Sequence, residues 1–295
     1  VKFAATDGVE LSGLVYEPKR ATKRAAVFLH GNGGASIFDS NRTNRLAEVF
    51  LRHGIAYAPF NNRGAHLIRR LRATSGTRRR SVDGGMAFEL IRDCVHDIDG
   101  AARMLRERGF TELFLLGHST GANKIAVYDH YRPRNPFRRY VLLGGADDAG
   151  LTRMYAGERR FEQALVKARA MIKAKRGAEL VPRTLSPMPL SWRSFLDTNN
   201  PDGDYNVFPF LEVMRGRISR KPLFRHLAGI RKPSLYLYGD SDEYLFDDVS
   251  GCVAILAEAI GGKPNVEIAV LEDADHGFGG REEELGTLIA EWFDS

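Results

Sequence analysis

Six- and seven-residue apolar runs recur along this chain, and segments of helical spacing separate most of them. "AAVFLH" (25–30), "IAYAPF" (55–60), "ELFLLG" (112–117), "YVLLGGA" (140–146), "SLYLYG" (234–239) and "VEIAVL" (266–271) read as buried strands. Residues 40–53 place Leu46, Val49 and Phe50 on one helical face and stop at Gly54. Residues 86–108 repeat Phe88, Ile91, Val95, Ile98, Ala102 and Leu105 and stop at Gly109. Further helices are expected at 122–131, 249–260 and 282–293. Strands alternating with helices need crossover connections, which predicts an α/β fold with a mainly parallel central sheet and helices on both faces. The start differs: "KFAA" and "ELSGLVYEP" flank Thr6-Asp7-Gly8 and read as a hairpin.

The rhythm fails between residues 150 and 229. One amphipathic helix there carries Phe161, Leu165, Ala168 and Ile172 opposite Lys167, Lys173 and Lys175. A Pro- and aromatic-rich stretch, "LVPRTLSPMPLSWRSFLDTNNPDGDYNVFPF", follows it. The expected organisation is a core of 1–149 and 230–295 with a lid or cap insertion at 150–229, the aromatics lining a pocket. No apolar run approaches the roughly 20 residues of a membrane span, and "VKFAATDGVELSG" is too polar for a secretory signal. Two cysteines, Cys94 and Cys252, make neither a disulfide framework nor a metal cluster, and a reducing, cytoplasmic setting is expected. The net charge of +6 is concentrated in "RGAHLIRRLRATSGTRRRS" (63–81), read as a solvated basic loop with no nucleic-acid-binding motif beside it.

"GHSTG" (117–121) sits where an apolar strand ends and a helical segment begins. Glycine is common here (30 of 295 residues), so the pattern alone proves little. In that setting a serine between glycines can occupy a strained strand–helix turn, the glycines keeping the two elements from colliding. Ser119 would then be a nucleophile, and a serine needs a base and an orienting carboxylate. Of eight histidines, His276 in "VLEDADHGF" follows the last strand and precedes the last helix, where it would sit at the sheet's carboxyl edge. Asp242 in "LYLYGDSDEYL" is the expected acid, with Asp147 and Asp148 as alternatives. Asp240, Asp242, Asp247 and Asp248 lack the spacing of a calcium loop, and no metal is assigned. "HGNGG" (30–34) has neither the Lys-Ser/Thr of a nucleotide P-loop nor GxGxxG, and no cofactor is called for. It offers instead an exposed backbone. The N–H of Asn32 or Gly33, with that of Thr120, forms the expected oxyanion hole. His118, Trp192 and Arg63 are the substrate-binding candidates.

HGNGG after the third strand, "NNRG" after the fourth, GHSTG after the fifth, "PSLYLYGDSDEYL" and "DADHGF" together resemble the α/β-hydrolase superfamily across most of the chain. GHSTG, "ARAMIKAKRGAELVP" and "GDSDEYL" are more narrowly similar to its siderophore-esterase-like branch. The loop after the fourth strand reads Asn61-Asn62-Arg63-Gly64 where the superfamily often has Asp-x-Arg-Gly, a position that is usually structural. The resemblance implies a serine hydrolase acting on a small-molecule carboxylic ester. A serine at the elbow argues against dehalogenase and epoxide-hydrolase chemistry. Thioesters, amides, peptides and carbon–carbon bonds stay open, and so does acyl transfer. A non-catalytic ligand binder of the same fold is the contrasting reading, against which the full Ser–Asp–His set speaks. If loop 63–81 approaches Ser119, Arg63, Arg69, Arg70 or Arg72 would favour acidic esters.

Overall fold

A computed structural model describes residues 1–32 and 35–295. The chain opens with a hairpin of β1 (Lys2–Ala4) and β2 (Glu10–Gly13), followed by β3 (Arg24–Leu29), α1 (Asn41–Arg52) and β4 (Ala56–Asn61). A second hairpin, β5 (Arg69–Ser75) and β6 (Arg78–Gly84), precedes α2 (Cys94–Glu107), β7 (Glu112–His118), α3 (Thr120–Tyr131) and β8 (Phe137–Leu143). Five helices come next: α4 (Asp148–Ala156), α5 (Glu158–Lys173), α6 (Trp192–Asn199), α7 (Phe210–Arg215) and α8 (Arg225–Gly229). The chain closes with β9 (Ser234–Gly239), α9 (Val249–Ile260), β10 (Val266–Leu271) and α10 (Glu282–Asp294).

The main sheet runs β1-β2-β4-β3-β7-β8-β9-β10. Its six strands from β4 to β10 pair in parallel, and β2 and β1 continue the β4 edge antiparallel. Every residue of β4 and β9 is buried, as expected for strands covered on both faces. On one face Leu46, Phe50, Phe114 and Phe293 pack together, the last two rings stacked at 4.1 Å. On the other, α2 and α3 bring Ile98, Leu105, Ile125 and Tyr128 onto the sheet. Each such side chain contributes about 1.5–3 kcal/mol by leaving water. The chain passes from β3 to β4 on one side, and β7 lies on the other side of β3. This reversal opens a crevice at the carboxyl ends of β3 and β7, where a doubly wound sheet accepts ligands.

Three parts differ from the sequence expectation. Residues 63–81 are not an open loop: Ser75 pairs with Arg78 across Gly76 (φ +58) and Thr77, a two-residue hairpin turn led by glycine. Thr74 donates to the Gly8 carbonyl at 2.9 Å and Ala73 bridges Val9, so the hairpin lies along the N-terminal turn. The helical spacing of 86–108 overshoots. Residues 85–90 form a turn after Gly85 (φ +84), and α2 proper starts at Cys94 after a short 3₁₀ turn. The segment between β8 and β9 holds five helices where one was evident. Part of it has its own small core: Phe161, Leu165, Ala168, Val181, Leu190, Trp192 and Phe195, joined by Met86. Tyr205, Val207, Phe208, Phe210 and Leu227 belong instead to the main core. Gly145 makes room there, since a Cβ on it would stand 2.3 Å from the Phe208 ring.

Candidate active site

At the carboxyl end of β7 the chain turns through Ser119 directly into α3. Ser119 has φ 56 and ψ −125, a strained conformation for a non-glycine residue. Its N–H donates to the Leu143 carbonyl at 2.8 Å and its carbonyl accepts from the Ala122 N–H at 2.8 Å, which holds the turn. The flanking glycines are sterically required. A Cβ on Gly117 would stand 2.3 Å from the Gly121 carbonyl oxygen, and one on Gly121 would stand 2.3 Å from that of Leu29. Gly31 is a third, which sequence reading did not single out. A Cβ there would lie 2.8 Å from the Ser119 Cβ and 3.3 Å from its Oγ. The loop after β3 can therefore cross Ser119 only as bare backbone.

His276 lies on the loop between β10 and α10, and Asp242 on the loop after β9. Nδ1 of His276 is 2.9 Å from each carboxylate oxygen of Asp242, which is 1% exposed. Asp242 Oδ1 also accepts the Tyr244 N–H at 3.0 Å, so the carboxylate is pinned before it meets the imidazole. Glu243, which sequence reading did not assign to the site, accepts the His276 N–H at 3.1 Å. His118 Nε2 donates to the His276 carbonyl at 2.7 Å, and burial and the charge of Arg42 keep that ring neutral. Ser119, His276, His118 and Asn32 line one cavity of about 650 Å³, with Asp242 standing behind His276. Among the described residues Ser119 Oγ has no hydrogen-bond partner, and its bond to His276 is not formed.

Thr120 opens α3 and Asn32 lines the cavity; Gly33 lies outside the described residues. Tyr205 ties the two sides together, its hydroxyl 3.3 Å from Thr120 Oγ1 and 3.5 Å from Asn32 Nδ2. Nothing in local sequence marks Tyr205, because its partners lie 85 and 173 residues away. Of the alternative acids, Asp147 caps α4 by accepting the Gly150 N–H at 2.7 Å and also accepts the Leu211 N–H at 2.9 Å. Asp148 lines the cavity, where burial pushes its carboxyl up to about 6.

Two substrate-binding candidates are displaced. Arg63 is buried, with Nη2 2.7 Å from Asp97 Oδ1, Nη2 3.0 Å from Asp7 and Nη1 3.4 Å from Asp93. It braces the end of β4 against α2 and does not line the Ser119 cavity. Arg69, Arg70 and Arg72 follow the hairpin away to the N-terminal turn and do not reach that cavity either. Trp192 packs in the small core beneath α5, its ring edge-on to Phe195 at 6.2 Å, and is likewise absent from the lining.

His30 shapes the β3 loop. Its Nε2 accepts the Asn62 N–H at 3.2 Å, so Nδ1 carries the proton it donates to the Gly31 carbonyl at 2.7 Å. Burial pushes its pKa down from 6.5 to about 3. Between those values the unfolded chain binds a proton that the folded one refuses. The contribution is therefore complete above pH 6.5 and lost as pH falls toward 3. Burial raises Asp147 to about 7 and Asp197 to about 6, and these act with the opposite sign. The comparison that isolates His30 is the slope of unfolding free energy against pH, which should be less positive over that window in His30→Asn than in wild type. Equal slopes would mean that His30 is protonated as readily folded as unfolded.

No protein-family model and no curated protein matches the sequence. Solved structures do resemble it. Est1E from Butyrivibrio proteoclasticus, with ferulic acid bound, is similar with a TM-score of 0.65 at 13% identity over 98% of this chain and 96% of that one. A soluble variant of monoglyceride lipase from Saccharomyces cerevisiae, in complex with a substrate analogue, gives 0.63 at 14% over 99% and 94%. Proline iminopeptidase from Mycobacterium smegmatis gives 0.59 at 15% over 100% and 98%.

Proposed function

We propose, on the α/β-hydrolase fold that these likenesses establish, that the chain is a serine hydrolase cleaving carboxylic esters of small molecules. The observation that carries the reading is His276, held by both Asp242 oxygens at 2.9 Å and lining one cavity with a serine in the strained strand–helix turn. A merely structural histidine has no need of a buried carboxylate on Nδ1 and an open cavity on its other side.

In the proposed reaction the ester carbonyl enters above Ser119. His276 Nε2 takes the Ser119 proton as Oγ attacks, and Asp242 holds the Nδ1 proton and stabilises the imidazolium. The carbonyl oxygen becomes an oxyanion that accepts from the backbone N–H groups of Thr120 and Asn32. His276 returns its proton to the departing alcohol, and water activated by the same imidazole then hydrolyses the acyl-enzyme. The insertion at 150–229 acts as a lid: Leu151, Pro187 and Met188 wall the cavity, and Tyr205 fastens the oxyanion elements. No helix of the described residues is long and apolar enough to cross a membrane. The test is covalent labelling. A fluorophosphonate should modify folded protein at Ser119 alone, and absence of labelling would favour a non-catalytic binder.

A further inference from the structure

Arg42 lines the Ser119 cavity and has no part in the proposed acyl transfer. It lies in the first turn of α1 and reaches over the loop that bears His276: a Cβ on Gly277 would stand 2.9 Å from its Nη2. Among the described residues lining the cavity it is the one Lys or Arg, and among the described residues its guanidinium has neither ion pair nor hydrogen bond. Asp275 and Glu282 act on it from a distance without contacting it, and each has a hydrogen-bond partner of its own. Glu282 accepts from Arg45 Nη1 at 3.0 Å, and Asp275 accepts the Gly279 N–H at 2.9 Å. Two carboxylates, Asp39 and Asp148, also line the cavity, and among the described residues neither forms an ion pair with Arg42.

A partly buried guanidinium that no carboxylate contacts directly is incompletely compensated, and an anion that enters the cavity offsets that cost. The planar fork of donors matches the two oxygens of a carboxylate. We infer that Arg42 selects, among the esters hydrolysed at Ser119, those carrying a free carboxylate beyond the scissile bond. The assignment rests on the serine-hydrolase reading. It moves the expected recognition of acidic esters from the hairpin arginines to a residue that reaches the cavity. About 650 Å³ leaves space for both an ester and a short acidic arm.

A matched pair of substrates tests it: mono-p-nitrophenyl adipate, which carries the carboxylate, and p-nitrophenyl hexanoate, which does not. The readout is the ratio of kcat/KM for the first over the second in wild type, Arg42→Lys and Arg42→Gln. The ratio should fall about 10–100-fold in Arg42→Gln, as expected on losing a hydrogen-bonded charge pair. Arg42→Lys, which keeps the charge and loses the fork, should lie between. An unchanged ratio in Arg42→Gln of wild-type Tm overturns the assignment. Should Arg42→Gln not fold, an unchanged ratio in Arg42→Lys overturns it equally. Wild type that hydrolyses neither ester removes the ester-hydrolase reading on which the inference rests; wild type that hydrolyses both, with a ratio indifferent to Arg42, removes this inference only.

Discussion

Replacing Ser119 by alanine should lower kcat on a p-nitrophenyl ester by about 10⁴-fold or more, leaving what binding and oxyanion donors supply alone. His276→Ala should cost about as much, and the double variant little more than either single one, because the two act on one proton. Asp242→Asn belongs to the same series. The amide would donate toward Nδ1, favour the wrong tautomer and leave Nε2 unable to accept the serine proton. The structure sharpens this expectation, since both carboxylate oxygens lie 2.9 Å from Nδ1 and, among the described residues, no other acid meets that nitrogen. Among the described residues no Ser119 Oγ–His276 hydrogen bond is formed, which does not count against the proposed pair, since such bonds are often long in unliganded hydrolytic sites. Substantial ester hydrolysis by pure, folded Ser119→Ala would dismiss the mechanism.

Arg63→Met should destabilise the protein by about 3–5 kcal/mol, because it strands a buried charge. Asp97 is 0% exposed, and its oxygens take Arg63 Nη2 at 2.7 Å, Nε at 3.0 Å and the backbone N–H at 2.9 Å. The last of these survives substitution; the side-chain pair does not. Asp7 and Asp93 would then face Asp97 with no cation between them. For a chain of this length the loss corresponds to a fall in Tm of roughly 5–8 °C. Adding Asp97→Asn to Arg63→Met should recover part of it, since the stranded charge is removed. A single variant with wild-type Tm, or a double variant no better than the single, would show that the pair is not what holds β4 to α2.

Arg63 also shows where sequence reading reaches its limit. Its neighbours in the chain are basic, and the run looks like one solvated stretch. Its three carboxylate partners come from Asp7, Asp93 and Asp97, which only folding brings together. Trp192 failed in the same way. An aromatic in an irregular insertion resembles a pocket wall until the Phe161–Phe195 core that encloses it is seen. The hairpin at 69–84 was visible in principle, since Gly76-Thr77 is a two-residue turn signal, but the arginines around it obscured the strand alternation.

The chain's order of elements was legible because short buried strands and amphipathic helices have incompatible periods, and that physics is local. GHSTG was legible for the same reason: a strand, a strained serine and a helix must follow one another, and Gly117 and Gly121 are demanded by approaches of 2.3 Å. His276 and Asp242 could be chosen from strand ends, since a parallel sheet brings its carboxyl ends to one edge. Tertiary structure alone decided which side chains share that edge's cavity. It drew Arg63 into an ion-pair cluster, turned Tyr205 inward between Asn32 and Thr120, and left Arg42 over the loop that bears His276 without a direct ion pair among the described residues. Those outcomes depend on contacts between residues far apart in the chain, and no local period encodes them.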